Sequence, residues 1–355
     1  MEDFTYYSPT KVMFGKGKEN EIGNVLREYG VGRVLIVSGC KSIYTSGLHT
    51  RVIRSLNESG IGYVEFPGVE PNPTVKQIVE ARYLASSKKV DSVLAIGGGS
   101  VIDVAKLSAV SSETSIWEII NGTRQIKCAG PIFVIPTIFG SGSEVNGGAV
   151  FTNQDTRQKH FIQSPYLYPK VAFVNPELAF TVPEMMIKYG GIDIQVHAIE
   201  AYMTTKEPYC IPIWETIKTI LRTVEKAILD IAVDNEDYEA HSRLAWASHL
   251  AAMGLTVKGL KGYSFPIHMI AHALGGIYNM PHGAALAVVV SAWCKWKGIE
   301  LEINLFGVPD KLSAYGIPHT DIPKIAANAY ENAKLMKMDK EYTVEVITEI
   351  LFLAV

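Results

Sequence analysis

SVLAIGGGSVIDVAK (92–106) is the stretch on which the fold reading turns. The apolar run SVLAI has the length of a buried strand, and it leads directly into Gly97-Gly98-Gly99-Ser100 and then a helical pattern. A strand that turns tightly into a helix is the repeating unit of a parallel sheet covered by helices. Glycines let backbone N–H groups approach an anion closely, and a helix N-terminus adds a favourable partial charge. The turn is therefore a candidate pyrophosphate cradle, although it is neither GxGxxG nor a Walker A motif. A plainer reading is a tight turn with a capping box, Ser100 as the cap and Asp103 three residues on. Both readings can hold together.

The same alternation extends to either side. Ile22, Val25, Leu26 and Tyr29 form a helical stripe closed by Gly30, and RVLIV (33–37) follows as a strand. Val52, Ile53 and Leu56 mark a second helix closed by Gly60, before YVEF (63–66). IFVI (132–135) is a further strand, and less ordered strand signals lie at 149–152 and 171–174. IPTIFGSGSEVN (135–146) repeats the strand-to-turn pattern, with Thr137, Gly140, Ser141, Gly142 and Ser143 offering hydroxyls and bare backbone. Two such turns after parallel strands point to one ligand crevice at the strand C-terminal ends.

After residue 180 the pattern becomes helical, with signals at 193–204, 238–256, 283–297, 321–336 and 342–354. NPELAFTVP (175–183) reads as the connection. The expected organisation is an α/β domain with a parallel sheet over residues 1–181 and an all-α domain over 182–355.

The helical half holds the second strong signal. Asp193 and His197 are four residues apart, as are His268 and His272, and His282 follows in NMPHG. Residues four apart on a helix share a face, so each pair can reach one ion. A lone histidine on a helix is usually a packed or surface residue. Two Gly-flanked apolar clusters drawn from a chain with nine histidines argue for a site. One carboxylate with several imidazoles suits Zn(II) or Fe(II) rather than Ca or Mg.

A net charge of -3 gives no footprint of a nucleic-acid or cationic membrane binder. The four cysteines have no CxxC spacing, which favours free thiols in a reducing compartment. The segment MEDFTYYSP lacks an apolar signal region, and AALAVVVSAW (284–293) is too short to span a bilayer. The expectation is a cytoplasmic protein.

With FGKG (14–17), PNPT (71–74), GGGSVIDVAK (97–106), PTIFGSGSEV (136–145), GIDIQVHAIEAY (191–202) and HMIAHALGGIYNMPHG (268–283) in order, the chain resembles the iron-containing (group III) alcohol dehydrogenases. Within them it looks most like the butanol dehydrogenase and broad-range aldehyde reductase branch. The resemblance implies a dehydroquinate-synthase-like fold and hydride transfer between a nicotinamide and a small primary alcohol or aldehyde. It implies that Asp193, His197, His268 and His282 ligate the metal, while His272 lies near the nicotinamide as a catalytic, proton-relaying or positioning residue. It makes Gly97, Gly98, Gly99 and Ser100 the pyrophosphate turn, Asp103 part of its helix, and Thr137, Gly140 and Ser143 the second cofactor loop. It also implies a homo-oligomer, a dimer or larger.

The chain departs from the family at Ile138, Phe139 and Ser141, where relatives often read PTTAGTGSE, and EINLFGVP (302–309) looks as if a helix has been removed. The turn after RVLIV bears on the cofactor. Ser38, Gly39, Lys41 and Ser42 bring no carboxylate to repel a 2′-phosphate, so NADP(H) is expected over NAD(H). Glycerol-dehydrogenase-like and dehydroquinate-synthase-like enzymes are alternatives on the same fold, as is a non-catalytic metal-binding protein. The absence of Lys and Arg from 262–290 weighs against a phosphorylated sugar acid as substrate.

Overall fold

A computed structural model describes residues 1–111, 114–120, 122–207 and 210–355. The chain divides into two compact units. One comprises Tyr7–Phe151 and His160–Val182; the other comprises Pro183–Val355 with Met1–Tyr6 and Thr152–Lys159.

The first unit contains, in chain order, β1 (Lys11–Phe14), α1 (Ile22–Glu28), β2 (Arg33–Ser38), α2 (Ser42–Thr45), α3 (Leu48–Glu58), β3 (Gly62–Phe66), α4 (Val75–Ser87), β4 (Ser92–Gly97), α5 (Gly99–Ser108), α6 (Ile116–Ile120), β5 (Ile132–Pro136) and β8 (Val171–Val174). The pair β6 (Gly148–Asn153) and β7 (Gln158–Gln163) runs from it into segments counted with the helices. Six strands form one parallel sheet in the order β1-β8-β5-β4-β2-β3. Every residue of β4 and β5 is buried. Side chains alternate along each strand: Val93 and Ala95 join one apolar cluster, and Leu94 and Ile96 join the cluster on the opposite face. Burial on both faces explains why these strands read as unbroken apolar runs. Gly30 and Gly60 adopt left-handed φ of 72° and 70° just beyond α1 and α3, as closing glycines should.

The second unit consists of α7 (Glu184–Thr204), α8 (Ile211–Val233), α9 (Tyr238–Ala252), α10 (Pro266–Tyr278), α11 (His282–Lys297), α12 (Ile322–Leu335) and α13 (Val344–Phe352) around one apolar core. Two short segments expected in the α/β part count here for a local reason. The Glu2 N–H donates to the Gly259 carbonyl at 3.1 Å, and Asn328 donates to the Arg157 carbonyl at 3.4 Å. Residues 299–311 form no helix or strand. The buried Gln195 amide substitutes for helical hydrogen bonds there. It donates to the Asn304 carbonyl at 2.9 Å and accepts from the Asn304 N–H at 3.0 Å.

Candidate metal centre and cofactor turns

Three helices supply the metal residues. Asp193 lies mid-way along α7, His268 sits in the first turn of α10, and His282 is the first residue of α11. One potential ligand atom from each lies within 4.8 Å of the others. Asp193 Oδ1 is 3.8 Å from His268 Nε2 and 3.8 Å from His282 Nε2. Ligand atoms about 2.1 Å from a tetrahedral ion stand roughly 3.4 Å apart, so this triangle is close to ion-binding size. The donor set also fits a cation. Asp193 Oδ1 and His268 Nε2, 3.8 Å apart, are buried without a hydrogen-bond partner. Buried polar atoms are rarely left so, and a metal ion would account for converging orphans.

His197 stays outside this triangle. Its Nδ1 hydrogen-bonds the Asp193 backbone carbonyl at 2.9 Å, one turn back. That nitrogen also lies 3.0 Å from Asp193 Oδ1, at ion-pair distance but without hydrogen-bond alignment. Its ring centroid is 4.5 Å from that of His268. His272, one turn beyond His268, is buried with its ring 5.7 Å from that of His282.

Charge tuning follows from this packing. Burial works against the Asp193 carboxylate, but His197, His282 and His268 more than offset it and hold its pKa well below the usual range. Burial, with Lys159 adding repulsion, overrides the pull of Asp193 and lowers His282 to about 3. Burial and Lys159 likewise hold His272 well below an ordinary imidazole. Neutral imidazoles and an ionised carboxylate are the forms that bind metal. His268 differs: burial opposes its charge, but Glu200 and Asp193 push it up to about 9. A cation at its Nε2 would answer the same two carboxylates.

Two buried charges were not singled out in the sequence. Glu200, fully buried on α7, accepts from His268 Nδ1 and from the N-terminal N–H groups of α10. Lys159, buried on β7, bears on both His272 and His282.

In the α/β unit, the candidate cofactor residues gather at one end of the sheet. The turns after β2, β4 and β5 lie at adjacent strand ends, with Ser38 in register with Ile96, and Gly97 with Pro136. The chain reverses its direction of sheet growth between β2 and β4, the position where open α/β sheets bind ligands. Gly39 is half-buried there, and Lys41 and Ser42 are exposed. The hydroxyls of Ser100 and Thr137 make no hydrogen bond within the described chain.

The expected Ser100/Asp103 capping box does not form. The N-cap is Gly98, which has no side chain to bond with, and Ser100 already lies inside α5; Asp103 is committed elsewhere. Asp103 Oδ1 accepts from Ser143 Oγ at 2.7 Å, and Oδ2 accepts from the Val150 N–H at 2.9 Å. At the centre of this network is Lys106, with no exposed surface. Its ammonium donates to Ser143 Oγ (2.8 Å), Asn146 Oδ1 (3.1 Å) and the Gly148 carbonyl (2.7 Å). Burial lowers its pKa to about 8 despite the pull of Asp103 and Glu144. Packing also fixes two of the glycines. A Cβ on Gly98 would meet Ile138 Cγ2 at 2.7 Å, and one on Gly99 would meet Ser141 Oγ at 2.5 Å.

Residues 9–176 match the iron-containing alcohol dehydrogenase family, and residues 187–304 match its C-terminal domain. The chain belongs to the iron-containing alcohol dehydrogenases. It is 36% identical over 336 residues to NADH-dependent butanol dehydrogenase B of Clostridium acetobutylicum, covering 91% of this chain and 85% of the relative. It is 29% identical to the NADPH-dependent aldehyde reductase YqhD of Escherichia coli, covering 94% of each. The crystal structure of NADH-dependent butanol dehydrogenase A from Thermotoga maritima superposes with a TM-score of 0.93 at 35% identity, covering 100% of this chain and 99% of that one. This iron-containing alcohol dehydrogenase therefore combines an α/β unit with a helical unit, and the helical unit contains a possible metal site.

Proposed function

We propose that this oxidoreductase interconverts small aliphatic aldehydes and primary alcohols, with Asp193, His197, His268 and His282 around Fe(II) or Zn(II) and NADP(H) preferred over NAD(H). The observation that carries the reading is the triangle of buried Asp193 and His268 with half-buried His282, in which Asp193 Oδ1 and His268 Nε2 have no hydrogen-bond partner. When bound, the ion supplies Lewis-acid polarisation of the substrate oxygen. The protein residues orient and protonate. Asp193, kept ionised by its imidazole neighbours, anchors the site. His272, held neutral by burial and by Lys159, is assigned to substrate positioning or proton relay beside the site. Gly97, Gly98, Gly99, Ser100, Thr137 and Gly140 are assigned to the dinucleotide, with backbone N–H groups at the start of α5 for its pyrophosphate. Asp103 and Ser143 support that surface from within.

The lean to NADP(H) is supported by the turn Ser38-Gly39-Cys40-Lys41-Ser42, which brings Lys41 and two hydroxyls but no carboxylate. Relatives use both dinucleotides by name: the butanol dehydrogenases are NADH-dependent and the aldehyde reductase is NADPH-dependent. All four cysteines are free, and no helix of the described chain is long and apolar enough to cross a membrane. Both observations support a cytoplasmic setting. A homo-oligomer is part of the same reading. The test is NADPH and NADH oxidation with butanal, with Fe(II) or Zn(II) added or chelated. The expected result is metal-dependent turnover with the higher kcat/KM for NADPH. Higher kcat/KM with NADH refutes the cofactor preference, and turnover indifferent to chelation refutes the metal role.

A further inference from the structure

We infer that Glu200 is a positioning residue for the metal centre, one buried carboxylate that both caps helix α10 and fixes His268 as an Nε2 ligand. The inference rests on the metal reading above.

Helix α10 begins without a cap of its own. Its N-cap position holds Phe265, which makes no side-chain cap, and Pro266 has no N–H to satisfy. The first exposed donors are the N–H groups of Ile267 and His268, and Glu200 Oε1 accepts both. A negative charge at a helix N-terminus is also favoured by the dipole. The other oxygen, Oε2, accepts from His268 Nδ1. The neutral imidazole that donates from Nδ1, the form in which a histidine binds metal, carries its lone pair at Nε2. That Nε2 is the unsatisfied atom 3.8 Å from Asp193 Oδ1. Carboxylates behind metal-bound histidines set tautomer and ring angle in this way.

The placement follows from α7. Glu200 is seven residues, two turns, beyond Asp193, so one helix supplies both the ligating and the supporting carboxylate. Within the triangle the support is specific to His268, since the His282 Nδ1 has no partner.

Glu200→Gln separates the two duties. An amide has one acceptor oxygen. Two helix N–H groups compete for it against one imidazole N–H, so the NH2 end is left facing Nδ1. The neutral His268 ring in the variant then keeps its proton on Nε2, the atom needed for metal. Full-length wild type, E200Q and E200A are titrated with Zn2+ against a chromophoric chelator, and the metal-free proteins are melted. Ring 15N shifts of His268 report the tautomer. The expected result is a Zn2+ Kd raised about 10–100-fold in E200Q, with a metal-free melting temperature close to wild type. E200A loses affinity and melting temperature together. A Zn2+ Kd in E200Q within about twofold of wild type, with His268 still protonated at Nδ1, overturns the inference and leaves Glu200 as a cap alone. Should E200A fail to fold, E200Q decides the matter. Wild type that holds no Zn2+ removes the metal reading and the inference together, which is distinguishable from a binding wild type with an unaffected variant.

Discussion

Lys106→Met tests whether a buried ammonium ties α5 to the turn after β5. Methionine keeps the apolar stem but removes the donor to Ser143 Oγ, Asn146 Oδ1 and the Gly148 carbonyl. Each acceptor left without a partner costs about 1–3 kcal/mol. Two are partly rescued, because Asn146 Oδ1 keeps the Gly148 N–H and Ser143 Oγ keeps its bond to Asp103. Against this, the fall of the Lys106 pKa from 10.5 to about 8 means that burying the charge already costs roughly 3 kcal/mol, which methionine relieves. The net loss expected at pH 7 is therefore modest, about 1–3 kcal/mol. The pH dependence is more diagnostic. The folded pKa lies below the unfolded one, so the unfolded chain binds more protons between about pH 8 and 10.5. Wild-type stability from this residue must rise across that window and fall back as pH drops through 8. Methionine has no proton to lose. Urea unfolding of both proteins from pH 7 to 10, followed by tryptophan fluorescence, should show the gap between them widening by up to roughly 3 kcal/mol. A gap that stays constant or narrows refutes the reasoning.

Two further outcomes follow from the helical unit. A Cβ at Gly283 would lie 2.3 Å from the Tyr189 carbonyl oxygen and 2.6 Å from its Cα, backbone atoms that cannot rotate away, so Gly283→Ala must separate α11 from α7. Overpacking of this kind costs about 1–3 kcal/mol, and His282 moves away from Asp193, so melting temperature and metal per chain should both fall; retention of both rejects this account. His272→Ala should leave metal content unchanged and lower kcat by about 100-fold or more, measured by elemental analysis and steady-state rates. Metal lost with turnover intact would remove His272 from the proton path.

Much of the fold can be read in the chain because it is locally encoded. The strands β2, β4 and β5 are apolar runs of strand length, and both turns follow them directly. The division at Pro183 falls next to the Pro-rich connection. The site is less legible where burial depends on distant packing. Glu200 reads as an ordinary helix carboxylate until α10 starts against it. Its one local signal is the seven-residue spacing from Asp193 along the same helix. Lys106 reads as a solvated helix end, and only the return of residues 143–148 over α5 encloses it. Lys159 sits in β7, more than a hundred residues from the histidines it influences. Asp103 and Ser143 carry the right chemistry for a ligand, but their side chains already bond each other.

Ile138 and Phe139 pack the turns after β4 and β5 into one object. Ile138 places its Cγ2 against Gly98, close enough that a Cβ there would stand 2.7 Å away. Phe139 is buried beside it. Ser141 Oγ accepts the Ser143 N–H at 3.3 Å, and Ser143 passes to Asp103 and Lys106. The second turn is thus held by apolar contact on one side and a buried charge network on the other. Both constraints act on its backbone and leave little side-chain polarity free for a ligand. A dinucleotide bound at the C-terminal ends of β4 and β5 would therefore depend on preorganised backbone N–H groups at Gly98, Gly99 and Ser100. Packing of Ile138 and Ser141 against Gly98 and Gly99 would hold those groups in place.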